Sequence, residues 1–339
     1  MNKIRIGVIC PSEIAFRRFM PAINQCEQFE YVGVAHADKN EWFSNDLSEF
    51  EKISAIDKQK AENFLNTYGG KIYDSYTELL TDENVDAVYL PLPPALHFEW
   101  AKKALQNGKH VFLEKPSTTS AEHTSSLVQM AKQKGLALHE NYMFSFHSQL
   151  DEISDIVKSG QLGDIRLYRI AFGFPMRGAN DFRYKKALGG GALLDCGGYT
   201  IKLAFDLLGQ STQVKHSTLN YTNDFDVDLY GSATLVNDKN EVAQITFGMD
   251  NSYKCDLEIW GSKGCLLADR IFTAPVDFTP HAQIKSADGV KTVDFKDDDT
   301  FKKSIMHFYN CVTNEDVKNK TYNKLIKQAQ LVDEVKGAK

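Results

Sequence analysis

No apolar run in this chain approaches the roughly 20 residues that a membrane-spanning helix needs. Positive charge is not in excess either. The 39 Lys and Arg face 45 Asp and Glu, a formal charge of -6, so nothing draws the chain broadly to nucleic acid or an anionic membrane. The N-terminal MNKIRIGVIC enters a strand after one charged residue, without the apolar core or cleavage site of a secretion signal. The six cysteines, at 10, 26, 196, 255, 265 and 311, have no paired spacing. That removes the usual zinc patterns, and His139, Glu140 and His147 do not supply a zinc spacing in their place. No metal is expected, and reduced thiols in a cytoplasmic protein are. What remains is 339 residues, 42% hydrophobic and 25% charged, enough for two globular domains.

A further lack is local. Lys3 to Cys10 read as a strand, Glu13 to Asn24 as a helix, and Tyr31 to Ala37 as a second strand ending at Asp38. This is the opening of a nucleotide-binding βαβ unit, yet Cys10, Ser12 and Ala15 stand where GxGxxG has its glycines. Ala suits the third position, which needs close helix-to-strand packing. Cys and Ser at the first two require a turn that avoids glycine-only angles or one that tolerates strain. Asp38 lies where a carboxylate accepts hydrogen bonds from an adenosine ribose, or it is a surface turn residue.

Beyond Asp38, the polar segment 40–58 reads as a short helix or flap, and Lys60 to Tyr68 as a helix stopped by Gly69 and Gly70. Ser75 to Leu80 suggest a short helix and Ala87 to Leu90 a strand, whose exit is Pro91, Leu92, Pro93, Pro94 with His97 following. Three prolines in four residues make a stiff rim, suited to lie against a flat ring or to form a rigid turn. A helix over 98–107 leads to GKHVFLEKPSTTS. Val111 to Leu113 read there as a buried strand that Pro116 stops, so Lys115 is held at a strand end. Open α/β sheets place their chemistry at that end of the strands. A lysine there polarises a carbonyl or hydroxyl oxygen, or it simply leaves the strand into solvent.

Strands and helices alternate up to about residue 140, which predicts a mostly parallel sheet. Afterwards 165–171, 213–221, 226–236, 241–249 and 256–260 predict an open, mostly antiparallel sheet. One face of such a sheet needs a partner, so oligomerisation is expected. Between these strands, Gly178 to Gly209 reads as a helical, glycine-punctuated insertion. Asp195 and Tyr199, four apart, fall on one helical face. A phenol there can donate a proton to a developing alkoxide, with Asp195 orienting it or Lys115, or the two can form a structural pair.

The fragments GKHVFLEKP and GGGALLDCGGY, in this order, resemble the paired signatures of the Gfo/Idh/MocA oxidoreductases, over nearly the whole chain. The resemblance implies a Rossmann domain, 1–138, followed by an α+β substrate-binding and oligomerisation domain, 139–339, whose C-terminal helix is a candidate to return to the first. It also implies NAD(H) or NADP(H) acting on a sugar. Lys115, Asp195 and Tyr199 are then the catalytic set. Cofactor contacts are expected from Cys10, Ser12, Glu13, Ile14, Ala15, Asp38, Lys39, Leu92, Pro93, His97, Glu114 and Lys115. Asp38 opposes a 2′-phosphate by charge, which leans the expectation to NAD(H), while Lys39 beside it pulls the other way.

The block HENYMFSFH at 139–147, with Asp181 to Tyr184 before the triple glycine, resembles nucleotide-sugar 3-ketoreductases of deoxysugar biosynthesis. Tyr142 and Arg183 then join Lys115, Asp195 and Tyr199 as substrate contacts. The expected activity is reduction of a keto-sugar by a homodimer or homotetramer. A free-sugar or cyclitol dehydrogenase and a non-catalytic cofactor-sensing or scaffold protein are the alternatives.

Overall fold

The computed structural model describes residues 3–42, 47–178 and 181–338, which fall into two compact units. The first comprises Met1–Thr118, Glu122–Asn141 and Phe301–Ile326; the second comprises Thr119–Ala121, Tyr142–Thr300 and Lys327–Lys339.

The first unit is built on a six-stranded parallel sheet. Its strands are β1 (Ile4–Ile9), β2 (Phe29–Ala35), β3 (Lys71–Tyr73), β4 (Ala87–Leu90), β5 (His110–Glu114) and β6 (Leu138–Asn141), in the order β3-β2-β1-β4-β5-β6. Ala87 to Leu90 and Val111 to Leu113 are fully buried, as expected of strands covered on both faces. Each such Val, Leu or Phe contributes about 1.5–3 kcal/mol by leaving water. The order reverses between β1 and β4, and the strand ends there open the crevice in which doubly wound sheets bind ligands.

The connections follow from their end residues. The first helix opens with a π turn, Ala15–Phe19, and continues as α1 (Met20–Ile23). In the 40–58 segment, residues 43–46 lie outside the described residues. The segment otherwise contributes to a 3₁₀ turn, Lys39–Glu41, and supplies the first half of α2 (Leu47–Tyr68), which Gly69 and Gly70 end at positive φ. Ser75 caps α3 (Tyr76–Thr81) by accepting from Glu78 N at 3.0 Å. The next helix, α4 (Pro94–Gln106), starts four residues earlier than the sequence suggests, because Pro94 is well suited to a first helical position. α5 (Ala121–Lys134) joins β5 to β6.

The second unit begins with α6 (Ser148–Lys158). Its sheet holds β7 (Ile165–Gly173), β8 (Gln213–Tyr221), β9 (Asp228–Val236), β10 (Val242–Gly248), β11 (Lys254–Gly261), β12 (Gly264–Ala268), β13 (His281–Ser286) and β14 (Gly289–Asp294). The order is β14-β13-β12-β11-β7-β10-β9-β8; β7 and β10 run parallel and every other pair is antiparallel. α7 (Gly198–Leu208) packs on β7 and β10, in one core with Ile170, Phe172, Ile245, Phe247, Leu257 and Ile259. Arg169, Gln244, Tyr230 and Trp260 alternate with these buried residues and are exposed. Two helices close the chain, α8 (Thr300–Thr313) and α9 (Glu315–Gly337). No helix among the described residues is long and apolar enough to cross a membrane.

Candidate active site

In the first unit, the turn after β1 keeps a glycine conformation without glycine: Cys10 lies at φ +76°. Left-handed backbone costs an L residue roughly 1–2 kcal/mol. The turn is fixed by Cys10 N donating to Ala35 O at 3.0 Å and Ser12 N to Cys10 O at 2.8 Å. Ser12 Oγ accepts from Ala15 N at 3.2 Å, and Ala15 is wholly buried. Glu13 and Ile14 are exposed at the helix start, whose first N–H groups have no partner within the helix. Burial pushes the Cys10 thiol up to about 12, Asp57 adding to it and Tyr76 opposing, so this turn carries no thiolate at neutral pH.

Past the end of β2, Asp38 Oδ1 accepts from Asn40 N at 2.6 Å and Glu41 N at 3.0 Å, while Glu41 Oε2 accepts from Asp38 N at 3.2 Å. This is a capping box. Oδ1 of Asp38 thus serves its own turn, and Lys39 is exposed next to it.

The exits of β4 and β5 are tied together. His97 is fully buried, with Nε2 at 2.6 Å from Leu92 O and Nδ1 at 2.8 Å from Pro116 O. Burial lowers its pKa to about 4, with Lys115 adding to the effect and the carbonyls of Pro116, Leu92 and Ser117 opposing it. A neutral ring has one N–H, so one carbonyl receives a hydrogen bond and the other is held in close contact.

Glu114 Oε1 accepts from Tyr89 Oη and Asn141 Nδ2, both at 2.7 Å, and burial raises its carboxyl above the usual range. Asn141 Oδ1 accepts from Ser304 Oγ at 2.8 Å, and Ser304 Oγ lies 2.9 Å from His139 Nε2. Glu140 Oε1 accepts from Ser117 N at 2.6 Å. Half-buried Lys115 is therefore flanked by three braces, at the side chain of 114, the carbonyl of 116 and the N–H of 117. The sequence did not disclose these braces, although Glu140 and Asn141 are adjacent in its HENYMFSFH block.

In the second unit, the helix bearing Asp195 and Tyr199 opens with a π turn, Leu193–Gly197, before α7. Such turns gather at functional sites and change the rotation between residues four apart. Asp195 Oδ2 accepts from Arg183 Nε at 2.8 Å, and Arg183 Nη1 donates to Asp181 Oδ1 at 3.1 Å. Burial works against the guanidinium charge, but the Asp195 and Asp181 carboxylates outweigh it and raise the Arg183 pKa.

Tyr199, 9% exposed, sits among the rings of Tyr142, Phe144, Phe172 and Phe272, with centroids 5.3–5.7 Å from its own. Its hydroxyl lies 3.9 Å from Met143 Sδ, a weak acceptor. Tyr142 is deeply buried and meets the Tyr199 ring edge-on; its hydroxyl abuts Gly198, where any Cβ would collide with it. The structure thus brings together Asp195 with Arg183, Tyr142 with Tyr199, and Leu92 with His97. Among the described residues no group of three His, Cys, Asp or Glu is placed to hold a metal ion.

Comparison with known proteins agrees with this architecture. The model for the oxidoreductase family GFO_IDH_MocA, NAD-binding Rossmann fold, matches residues 4–142, and that for the GFO/IDH/MocA C-terminal domain matches 150–267. A dTDP-3,4-didehydro-2,6-dideoxy-alpha-D-glucose 3-reductase of Actinomadura kijaniata is 35% identical, covering 99% of this chain and 95% of its own. The enzyme of that name from Streptomyces violaceoruber is 37% identical, over 86% and 80%. The crystal structure of the A. kijaniata 3-ketoreductase KijD10 with NADP and TDP-benzene superposes with a TM-score of 0.91 at 35% identity, covering 99% and 98%.

These relatives correct the lean toward NAD(H). KijD10 is seen with NADP, and again with NADP in its open conformation. The lean rested on the charge of Asp38; Oδ1 of that carboxylate accepts from two backbone N–H groups of its own turn, and Lys39 stands exposed beside it.

Proposed function

The chain belongs to the GFO/IDH/MocA family of oxidoreductases, and we propose that it reduces the 3-keto group of a nucleotide-linked deoxysugar, with NADP(H) as its cofactor. It is an NAD(P)-dependent hydride-transfer enzyme of keto-sugars. One observation carries the finer reading: the likeness to the 3-ketoreductase runs through 99% of the chain rather than through the cofactor-binding part alone.

The first unit suits such a cofactor. Its turn at Cys10 is uncharged and left-handed, the helix start at Glu13 and Ile14 offers N–H groups to phosphate, and Lys39 is an exposed cation beside Asp38. When bound, NADPH supplies the hydride. Lys115 polarises the substrate oxygen, and the braces around it fix the direction of its charge. Tyr199 donates the proton from its hydroxyl. Arg183 fixes the Asp195 carboxylate through the hydrogen bond from its Nε, and Tyr142 supports the Tyr199 ring.

A second copy of the chain would cover the exposed face of the larger sheet, giving a homodimer or homotetramer. The six free cysteines favour a cytoplasmic setting.

The test is an assay of nicotinamide oxidation with an enzymatically prepared dTDP-linked 3-keto-deoxysugar, beside the free sugar and a panel of cyclitols. Turnover with the nucleotide sugar, at least about tenfold better with NADPH than NADH, is expected; tenfold corresponds to about 1.4 kcal/mol. Turnover on free sugars or cyclitols alone would replace this reading with that of a free-sugar dehydrogenase.

A further inference from the structure

Asp228 begins β9, 35 residues beyond Leu193, and belongs to neither sequence motif. It is 8% exposed, yet its carboxylate ends on the helix that carries Asp195 and Tyr199. Oδ2 accepts from Leu193 N, in the first turn of that helix, at 2.7 Å. Oδ1 lies against Gly191, where any Cβ would run into it. Gly191 is itself left-handed, at φ +119°, so two independent constraints require glycine there.

These contacts belong to a closed circuit. Gly191 O accepts from Asp195 N at 3.0 Å; Asp195 Oδ2 accepts from Arg183 Nε at 2.8 Å; and Arg183 O accepts from Gly191 N at 2.9 Å. Gly190 closes the packing, because a Cβ there would strike Arg183 O. The circuit is fastened through Asp228 to β9, an inner strand of the sheet, where Asp228 pairs with Tyr221 of β8. A carboxylate at a helix start also meets the positive end of the helix dipole. Burial raises the Asp228 carboxyl, with the Leu193 N–H and Lys336 opposing.

We propose that Asp228 is a positioning residue for the reaction: it caps the catalytic helix from a remote strand and so sets Asp195, its partner Arg183 and, one turn on, Tyr199. The proposal rests on the reading that Asp195 and Tyr199 serve the substrate. It assigns no contact between Asp228 and the substrate. A displacement of about 1 Å in a reacting group can cost on the order of 10²-fold in rate, so loss of the cap should appear in turnover.

The experiment compares Asp228→Ala, Asp228→Asn and Gly191→Ala in the full chain, with NADPH and the nucleotide keto-sugar. Asp228→Ala should lower kcat by about 10²-fold and leave the KM for NADPH within about twofold. Asp228→Asn keeps an oxygen that can accept from Leu193 N and should recover most of that loss. Gly191→Ala, which drives a methyl group into Oδ1, should reproduce the defect and replaces Asp228→Ala if the latter does not fold. A kcat within twofold of the parent in both alanine variants overturns the proposal, as does Asp228→Asn being as defective as Asp228→Ala. Hydrogen exchange at the Leu193 and Asp195 amides reads the cap without any substrate. If the parent chain does not reduce the keto-sugar, the functional reading fails, and exchange alone then decides the cap. Faster exchange in Asp228→Ala than in Asp228→Asn supports it, and equal exchange in all three chains refutes it.

Discussion

The two sheets present side chains in different ways, and the difference decides how each proposed catalytic group is held. The parallel sheet is buried on both faces, so functional groups emerge only at strand ends, and Lys115 is steadied there by hydrogen bonds to its neighbours' polar groups. The larger sheet has one covered face, and the Tyr199 phenol rides on a helix packed against that face. Tyr199 sits among four aromatic rings, with a weak contact from its hydroxyl to a sulfur. Polar braces surround the cation, whereas packed rings surround the phenol. The braces lose their function when one atom is removed, but packing degrades in proportion to the volume removed.

Variants can break this contrast. Lys115→Ala removes the group that the braces serve, and kcat should fall by about 10³-fold with NADPH affinity nearly unchanged, as steady-state rates and calorimetry would register. Tyr199→Phe keeps the rings packed and deletes only the hydroxyl, so a loss of about 10²-fold in kcat should come with an unaltered melting temperature. Unchanged turnover would remove Tyr199 from proton transfer. Asn141→Ala leaves Glu114 and Ser304 without their shared partner and should cost about 2–3 kcal/mol in urea unfolding, with a reduced kcat because the β5 exit loosens.

A further effect concerns acid. The His97 ring has a folded-state pKa of about 4, below the ordinary value of about 6.5. The stability it contributes as a neutral group is therefore present above about 6.5 and lost as pH falls toward 4, by at most about 1.4 kcal/mol per unit. His97→Gln has no such proton to take up. Its stability deficit relative to the parent should shrink between pH 7 and pH 4, and parallel urea midpoints across that range would remove the linkage from His97.

Much of this architecture is readable where a single residue type decides the backbone. Ser75 before a helix, Gly69 and Gly70 after one, and Pro116 after a buried strand each act locally, and their elements appear where expected. β3 has only three residues, too few for periodicity to register. β13 and β14 carry few buried side chains, so the alternation that betrays a strand is faint in β13 and missing in β14. The first half of α2 is too rich in charge to show an apolar stripe.

At the site, the strand-end position of Lys115 and the helical position of Tyr199 were legible, but their supports were not. Asn141 and Asp228 act across 27 and 35 residues of sequence, a distance over which no local pattern carries information. The lean toward NAD(H) weighed the charge of Asp38 alone. Asp38 followed by Glu41 is the spacing of a capping box, a local signal that one oxygen of the carboxylate serves its own turn.

The chain of contacts from Glu114 through Asn141 and Ser304 to His139 bears on how this protein can be cut. Ser304 lies in α8, far along the polypeptide from the two residues it bonds. A fragment ending near residue 142, where the Rossmann family model stops, would include β1 to β6 but forfeit the hydroxyl that joins Asn141 to His139. The cofactor-binding half is continuous as a sequence signature but discontinuous as a folding unit. Recombinant fragments, domain fusions and split-protein designs should keep residues 301–326 with the first 141.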